Sequence, residues 1–198
     1  MPLRYPVVVL DPAELQPDEP RLIRRSEYER MVELGWFEDE RVELIYGVIV
    51  KMSPHGPEHD APLSRLTELL VQGLIGRARV RVQSAFAASD GSEPEPDLAV
   101  VPPGEYDDAH PSAAWLIVEV AKSSLAKDRG PKARLYAESG VPEYWVVNLV
   151  DGLIEVHTEQ RDGLYRRVIR HGRGDVVRCD RFPELEIPVG AVLKPVEK

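Results

Sequence analysis

Three short apolar runs between residues 96 and 145 constrain the fold of this chain more than any other feature. They cover residues 98–101, residues 115–118 and a third segment that starts at Tyr144. Short apolar runs bounded by Pro and Gly are typical of strands that are buried in a sheet. A polar segment lies between the second and third runs and opens a helix. The pattern therefore predicts a sheet with a helix packed over it.

The rest of the chain predicts further elements around this sheet. Residues 60–75 carry leucines at three- and four-residue spacing, which is the pattern of a helix with one buried face. Residues 127–139 predict a second covering helix. Residues 21–34 predict an N-terminal helix with Ser26 and Glu29 at capping-box spacing. Strands or hairpins are predicted at residues 42–52, 80–82, 85–87, 143–149, 153–157 and 164–169, with short strands over residues 181–198. The expected fold class is α/β, a mixed sheet flanked by helices, with an added N-terminal helix and edge hairpins.

The length and composition predict one folded domain. The 198 residues are 43% hydrophobic and 30% charged, which is enough apolar material for a core. Residues 1–20 hold five prolines and predict an arm, so the domain is assigned to residues 21–198. The net charge of −9 argues against a protein that coats nucleic acid non-specifically, although it leaves room for a local basic groove.

The expected location is the cytoplasm. Cys179 is the only cysteine in the sequence, so no internal disulfide can form, as is usual in a reducing compartment. No signal peptide is evident, and no apolar stretch approaches the roughly 20 residues that span a bilayer. We therefore expect a soluble protein that does not bind membranes.

Two carboxylates lie at the ends of the first two apolar runs. Asp97 begins one predicted strand and Glu119 lies near the end of the next, and these ends meet if the strands are antiparallel neighbours. Mg²⁺ prefers oxygen ligands and usually takes one or two carboxylates. The backbone carbonyl of Val120 could add another oxygen. A nearby lysine would steady an attacking hydroxide or the charge that develops on a phosphate. These parts together indicate a metal-dependent phosphodiesterase.

An ordered set of motifs runs through the chain. It comprises Pro96-Asp97, Glu119-Val120, Asp128-Arg129 with Lys132, and Gly-Val-Pro-Glu-Tyr-Trp at residues 140–145, preceded by Glu-Leu-Ile-Tyr-Gly at 43–47 and by residues 53–59. This set resembles the PD-(D/E)XK nuclease superfamily and, more narrowly, its putative restriction endonuclease family. The resemblance covers roughly residues 22–190.

The resemblance implies a restriction-endonuclease-like fold and an endonuclease that cleaves DNA by water attack with Mg²⁺ or Mn²⁺. Asp97 and Glu119 would be catalytic and would hold the metal with the Val120 carbonyl. The superfamily usually places its lysine two residues after the acid, which here is Ala121. In this branch the lysine is carried by the following helix, where Lys132 lies.

Four further residues are accessory candidates. Lys122 comes one position after Ala121, and strand alternation would turn it away from Glu119 unless the strand has already ended. Glu43 is either a third acid near the metal or a surface residue. His59 either contacts phosphate or metal or has a structural role, and Gln83 either lines the cleft or does not.

Two alternatives remain open from the sequence. One is a catalytically idle module of nuclease fold that binds nucleic acid or supports assembly. The other is a metal-dependent hydrolase of RNA or another phosphodiester. Because restriction-type enzymes that cut both strands often act as dimers, we also expect a homodimer, with the arm and the C-terminal hairpins as candidate surfaces.

Overall fold

The computed structural model describes residues 20–193. The predicted arm therefore lies outside the described residues, apart from Pro20. Six strands form one mixed sheet in the order β3-β4-β5-β6-β7-β8, and two hairpins, β1-β2 and β9-β10, stand apart from it. The strands are β1 Val42–Ile45, β2 Val48–Lys51, β3 Arg79–Val82, β4 Leu98–Val101, β5 Leu116–Ala121, β6 Tyr144–Asn148, β7 Leu153–Arg161, β8 Leu164–His171, β9 Val176–Cys179 and β10 Phe182–Pro188. The predicted α/β fold class, with its mixed sheet and edge hairpins, is confirmed.

The helices flank this sheet. They are α1 Arg25–Glu33, α2 Pro57–Leu74, α3 Leu125–Lys127, α4 Ala133–Glu138 and α5 Val189–Val192, and a π-helical turn, Asp128–Lys132, joins α3 to α4. The helix predicted at residues 127–139 is thus one interrupted helical segment. None of the helices in residues 20–193 is long and apolar enough to cross a membrane.

Two local predictions were wrong. Ser26 does not cap α1, because the extended residue is Arg24, whose N–H donates to the Glu27 carboxylate at 3.0 Å. Residues 85–87 do not join a strand. The Phe86 N–H donates to the Pro94 carbonyl at 2.9 Å, so a loop rather than a sheet neighbour satisfies this backbone.

The central strands have the pairing that the carboxylate prediction requires. β4 and β5 are antiparallel, with Leu98 opposite Val118. β5 and β6 are parallel, with Glu119 opposite Val146, and the helical segment forms the crossover between them. A parallel pair needs such a crossover, whereas an antiparallel pair does not.

Each face of the sheet has its own core. On one face, leucines of α2 pack against Val100, Val118 and Trp145 and against the β9-β10 hairpin. On the other face, Ala133 and Tyr136 of the helical segment pack against Ile117 and other strand residues. Side chains alternate along a strand, so Glu119 lies on the second face together with Ile117. The helical segment therefore covers the face that carries the acid.

Candidate metal centre

Asp97 and Glu119 lie opposite each other on neighbouring strands. The pairing of Leu98 with Val118, extended by one residue on each strand, sets Asp97 across from Glu119. Directly opposite residues in a sheet carry their side chains on the same face. The exposed fractions of Asp97 and Glu119 are only 6% and 5%, and both line one cavity of about 510 Å³. The fold thus brings together the two carboxylates that the sequence singled out.

Asp97 is held by three donors. Its Oδ2 accepts the Val120 N–H at 2.8 Å and lies 3.0 Å from Nε2 of His59. The Gln83 amide nitrogen lies 3.4 Å from Oδ1. Burial would raise the pKa of Asp97, but these hydrogen bonds favour the ionised form and the pKa is lowered overall. His59 and Gln83, both accessory candidates from the sequence, therefore contact this carboxylate directly.

Glu119 contacts Lys132 and Tyr136. Lys132 Nζ and the Tyr136 hydroxyl each donate to Glu119 Oε1 at 2.7 Å. Burial raises the pKa of Glu119, and the Lys132 charge opposes this shift by favouring the carboxylate. Burial also works to lower the pKa of Lys132, but Glu119, Glu43 and Asp128 together raise it. Lys132 is therefore a buried cation held among carboxylates.

Glu43 is fully buried and does not lie on the surface. Its carboxylate lies 2.9 Å from Lys127 Nζ and 3.1 Å from Lys132 Nζ. The surface alternative is therefore wrong, because β1 turns this residue toward the helical segment and its lysines. Lys132 consequently bridges two acids that come from distant parts of the chain.

Lys122 lies just past the end of β5, which stops at Ala121. The alternation argument therefore does not apply to it, and Lys122 lines the cavity. Its side chain is 58% exposed and forms an ion pair with Glu58 on the cavity rim. Of the two candidate lysines, only Lys132 makes an ion pair with Glu119 in the described part of the chain.

Three residues of the site were not singled out from the sequence for these contacts. Tyr136 packs in the core of the second face and also donates to Glu119. Lys127 pairs with Glu43, and the buried Asp128 lines the cavity. The four-residue spacing between Lys132 and Tyr136 was a signal for one of them, since residues at i and i+4 share a helix face.

The site also has oxygen ligands to offer a divalent ion. Both hydrogen bonds to Glu119 end on Oε1, and within residues 20–193 none ends on Oε2. The Val120 N–H points to Asp97, and an extended residue directs its N–H and C=O toward the same neighbouring strand. The Val120 carbonyl thus lies on the Asp97 side of β5. Two carboxylates and a carbonyl form the hard donor set that suits Mg²⁺ or Mn²⁺.

A central mixed sheet with buried acids at the meeting ends of two strands defines a nuclease-like α/β protein. The Uma2 family, whose description is "Putative restriction endonuclease", matches residues 25–190, and the chain belongs to this family. A crystal structure of "a putative nuclease belonging to DUF820" from Anabaena variabilis has a similar fold, with a TM-score of 0.63 and 14% sequence identity. The similarity covers 78% of this chain and 90% of that one. A comparison with curated proteins gave no match.

Proposed function

We propose that this protein is a metal-dependent endonuclease of the PD-(D/E)XK type that hydrolyses DNA phosphodiester bonds. The observation that supports the proposal best is the pairing of Asp97 with Glu119 across β4 and β5, with Lys132 2.7 Å from Glu119. Membership of the Uma2 family supports a nuclease activity on independent grounds.

The ion would be held by Asp97, Glu119 Oε2 and the Val120 carbonyl. Mg²⁺ or Mn²⁺ at such a site lowers the pKa of a bound water and neutralises charge on the phosphate. The protein groups have other tasks. His59 and the Val120 N–H fix the orientation of Asp97, and Tyr136 fixes that of Glu119.

Lys132 would supply the positive charge beside the reacting phosphate. It lines the cavity although its side chain is only 3% exposed, so its ammonium group faces the site from a dry environment. Charge stabilisation is stronger in such an environment than in water. Lys132 would therefore favour the negative charge that grows on the phosphate oxygens as water attacks.

The cavity is also where DNA would meet the protein. Three lysines, Lys122, Lys127 and Lys132, line it together with five carboxylates, in a chain whose net charge is −9. Phosphate contacts by Lys and Arg provide most non-specific DNA affinity. We infer that DNA phosphates would meet these lysines in the cavity, where a bound divalent ion would offset the charge of the carboxylates.

Cleavage assays with isosteric variants test the proposal. Plasmid DNA, linear duplex, single-stranded DNA and RNA would each be incubated with Mg²⁺, Mn²⁺ or a chelator. We expect metal-dependent cleavage of DNA by the wild type. Asp97→Asn and Glu119→Gln should slow it by about a hundredfold or more, since each removes a metal ligand charge.

Glu58→Gln is the matched control, because Glu58 is a carboxylate on the rim of the same cavity and has no contact with the proposed ligands. It should cleave like the wild type. Cleavage of RNA alone would identify the RNA hydrolase instead. A wild type that neither binds divalent ions nor cleaves any of the substrates would identify the catalytically idle module.

A further inference from the structure

Three metal-ligating side chains lie together beside Asp97 but outside the carboxylate pair. His55 lies in the loop before α2, and His59 and Asp60 lie in its first turn. One ligand atom of each residue lies within 4.8 Å of the ligand atoms of the other two. The two imidazole rings stack with their centroids 3.9 Å apart. Two rings and a carboxylate thus lie close together at the edge of the cavity, and a rotation of the stacked rings would be needed to direct both nitrogens at one ion.

The contacts of His59 favour a cation in this volume. Its Nε2 lies 3.0 Å from Asp97 Oδ2, and a carboxylate accepts hydrogen bonds, so Nε2 carries the ring hydrogen. In the neutral ring, Nδ1 then has a lone pair. This Nδ1 lies 3.4 Å from Asp60 Oδ1, and either a second ring proton or a metal ion can bridge the two atoms. A metal ion between them would take the place of that proton and bind both atoms.

A carboxylate that accepts the second ring N–H is also the usual partner of a metal-bound histidine. This contact fixes the tautomer and makes the ligating nitrogen more basic. Asp97 makes this contact to His59. The ring of His59 would therefore link the carboxylate site to a second metal site. Its Nε2 donates to Asp97, a proposed ligand of the first ion, and its Nδ1 would bind the second ion.

His55 offers the third donor. Its Nδ1 lies 3.1 Å from the Gln83 amide nitrogen, and in the described part of the chain no side chain bonds its Nε2. An ion at Nε2 would place the ring hydrogen on Nδ1, so the Gln83 amide would keep its bond to Asp97 Oδ1 and move away from the His55 ring. The positive end of α2 opposes a cation, but the carboxylates of Glu58, Asp60 and Asp97 offset it.

We propose that His55, His59 and Asp60 form a second metal site, which takes a transition-metal ion such as Zn²⁺ or Mn²⁺. Imidazole nitrogens suit these ions, whereas Mg²⁺ prefers oxygen ligands. Three protein ligands leave at least one position for water or a phosphate oxygen, as in sites that are open to substrate. The site requires ligation only, so it stands whether or not the chain cleaves DNA.

Metal binding to the purified, metal-free chain tests the site without any activity assay. Zn²⁺ titration by calorimetry would give the number and affinity of sites. Pulsed EPR of bound Mn²⁺ would report nitrogen couplings from imidazole ligands. Because Glu119→Gln removes one carboxylate of the first centre, the variants would be compared in that background. There we expect one tight Zn²⁺ equivalent and ¹⁴N couplings on Mn²⁺.

His55→Ala and Asp60→Asn should each weaken Zn²⁺ binding by about tenfold or more, and His55→Ala should reduce the ¹⁴N signal. Both residues are at least partly exposed, so circular dichroism should show a folded chain. His171→Ala is the matched control, because this histidine lies on β8, away from the cavity lining. Unchanged Zn²⁺ affinity in His55→Ala and Asp60→Asn, or an equal loss in His171→Ala, would overturn the site. If Glu119→Gln loses cleavage but still binds Zn²⁺, the result supports the second metal site, because that site does not depend on Glu119.

Discussion

Lys132 lies between two buried carboxylates, and this position links its chemistry to the stability of the fold. Lys132→Ala should lower the cleavage rate by about a hundredfold or more while metal binding persists, whereas Lys122→Ala should weaken DNA binding and leave the rate at saturating DNA near that of the wild type. Lys122 differs because its partner is Glu58 on the rim. Rates and metal affinities of the two variants provide the comparison. The opposite order of activity would show that the assignment of the working lysine is wrong.

The same substitution should also destabilise the protein. Removing Lys132 leaves Glu43 and Glu119 buried without their shared cation. Loss of one partner from a buried ion pair typically costs about 3–5 kcal/mol. Urea unfolding of Lys132→Ala should show a fall of that order, and Lys122→Ala should change the free energy of unfolding by less than about 1 kcal/mol. Equal stability of the two variants would contradict this reading of the site.

The sequence predicted some of these residues because their positions follow from local patterns. Two apolar runs that each border an acid are enough to align Asp97 with Glu119 once the strands pair. Glu43 and His55 could not be placed in the same way. The bond between Lys127 and Glu43 joins residues 84 positions apart, and no periodicity reports such a contact. Burial of Glu43 depends on how β1 docks, which is a property of the tertiary structure.

At the scale of elements, the π-helical turn carries Lys132 of the site and Arg129, which links the turn to the sheet. Arg129, within this turn, forms an ion pair with Glu155 of β7, which is 1% exposed, and lies 3.4 Å from the exposed Asp151. Glu155→Gln should lower the free energy of unfolding by about 1–2 kcal/mol, because the carboxylate is buried but solvent screens the partly exposed Arg129. Asp151→Asn is the matched control and should cost less than about 1 kcal/mol. Urea titrations of both variants would measure this, and equal costs would contradict it.

Helix α1 docks next to a carboxyl group that titrates near neutral pH. Burial and the neighbouring Glu29 of α1 raise the pKa of Glu93 to about 7. The folded chain therefore holds this proton more tightly than the unfolded chain, whose pKa is near 4.5. The contribution to stability is present below pH 4.5 and falls as the pH rises toward 7, by about 1–3 kcal/mol.

Urea unfolding at pH 5 and pH 8 tests this assignment. The difference between the two unfolding free energies should be smaller in Glu93→Gln than in the wild type. The control Glu33→Gln, an exposed acid of α1, should keep the wild-type difference. Equal pH dependence in all three proteins would contradict the assignment.

The element boundaries show which patterns were informative. The leucine spacing predicted α2, and the apolar runs predicted β4 to β6. The break of the second helical segment into α3, the π-helical turn and α4 could not be predicted from helical periodicity. Gly130 and Pro131 lie inside this turn and indicate a departure from regular α-helical geometry. The hydrogen bonding of the turn also depends on the tertiary contacts of Arg129 with Glu155 and of Lys132 with Glu119.

At the scale of the whole molecule, we expect a homodimer. The mass of one chain is 22.2 kDa, so light scattering at micromolar concentration should give about twice this value. β3 and β8 are the two edges of the central sheet, and Leu164 and Val168 of β8 are exposed. Unpaired edges are common sites of association between chains. Val168→Lys should favour the monomer if β8 is the contact, and a wild type that scatters as a monomer would contradict the dimer.

The position of Ala121 bears on how such a site can change during evolution. Ala121 lies two residues after Glu119, on the same face of β5, and is fully buried. On the resemblance noted from the sequence, it occupies the place where the PD-(D/E)XK superfamily usually carries its lysine, and the Lys132 ammonium group reaches Glu119 from the helical segment instead. A lysine ammonium group could therefore be placed beside Glu119 either from β5, at position 121, or from the helical segment, at position 132. A chain that acquires one lysine could then lose the other through an intermediate that remains functional, and the double substitution Ala121→Lys with Lys132→Ala would reconstruct that exchange in the laboratory.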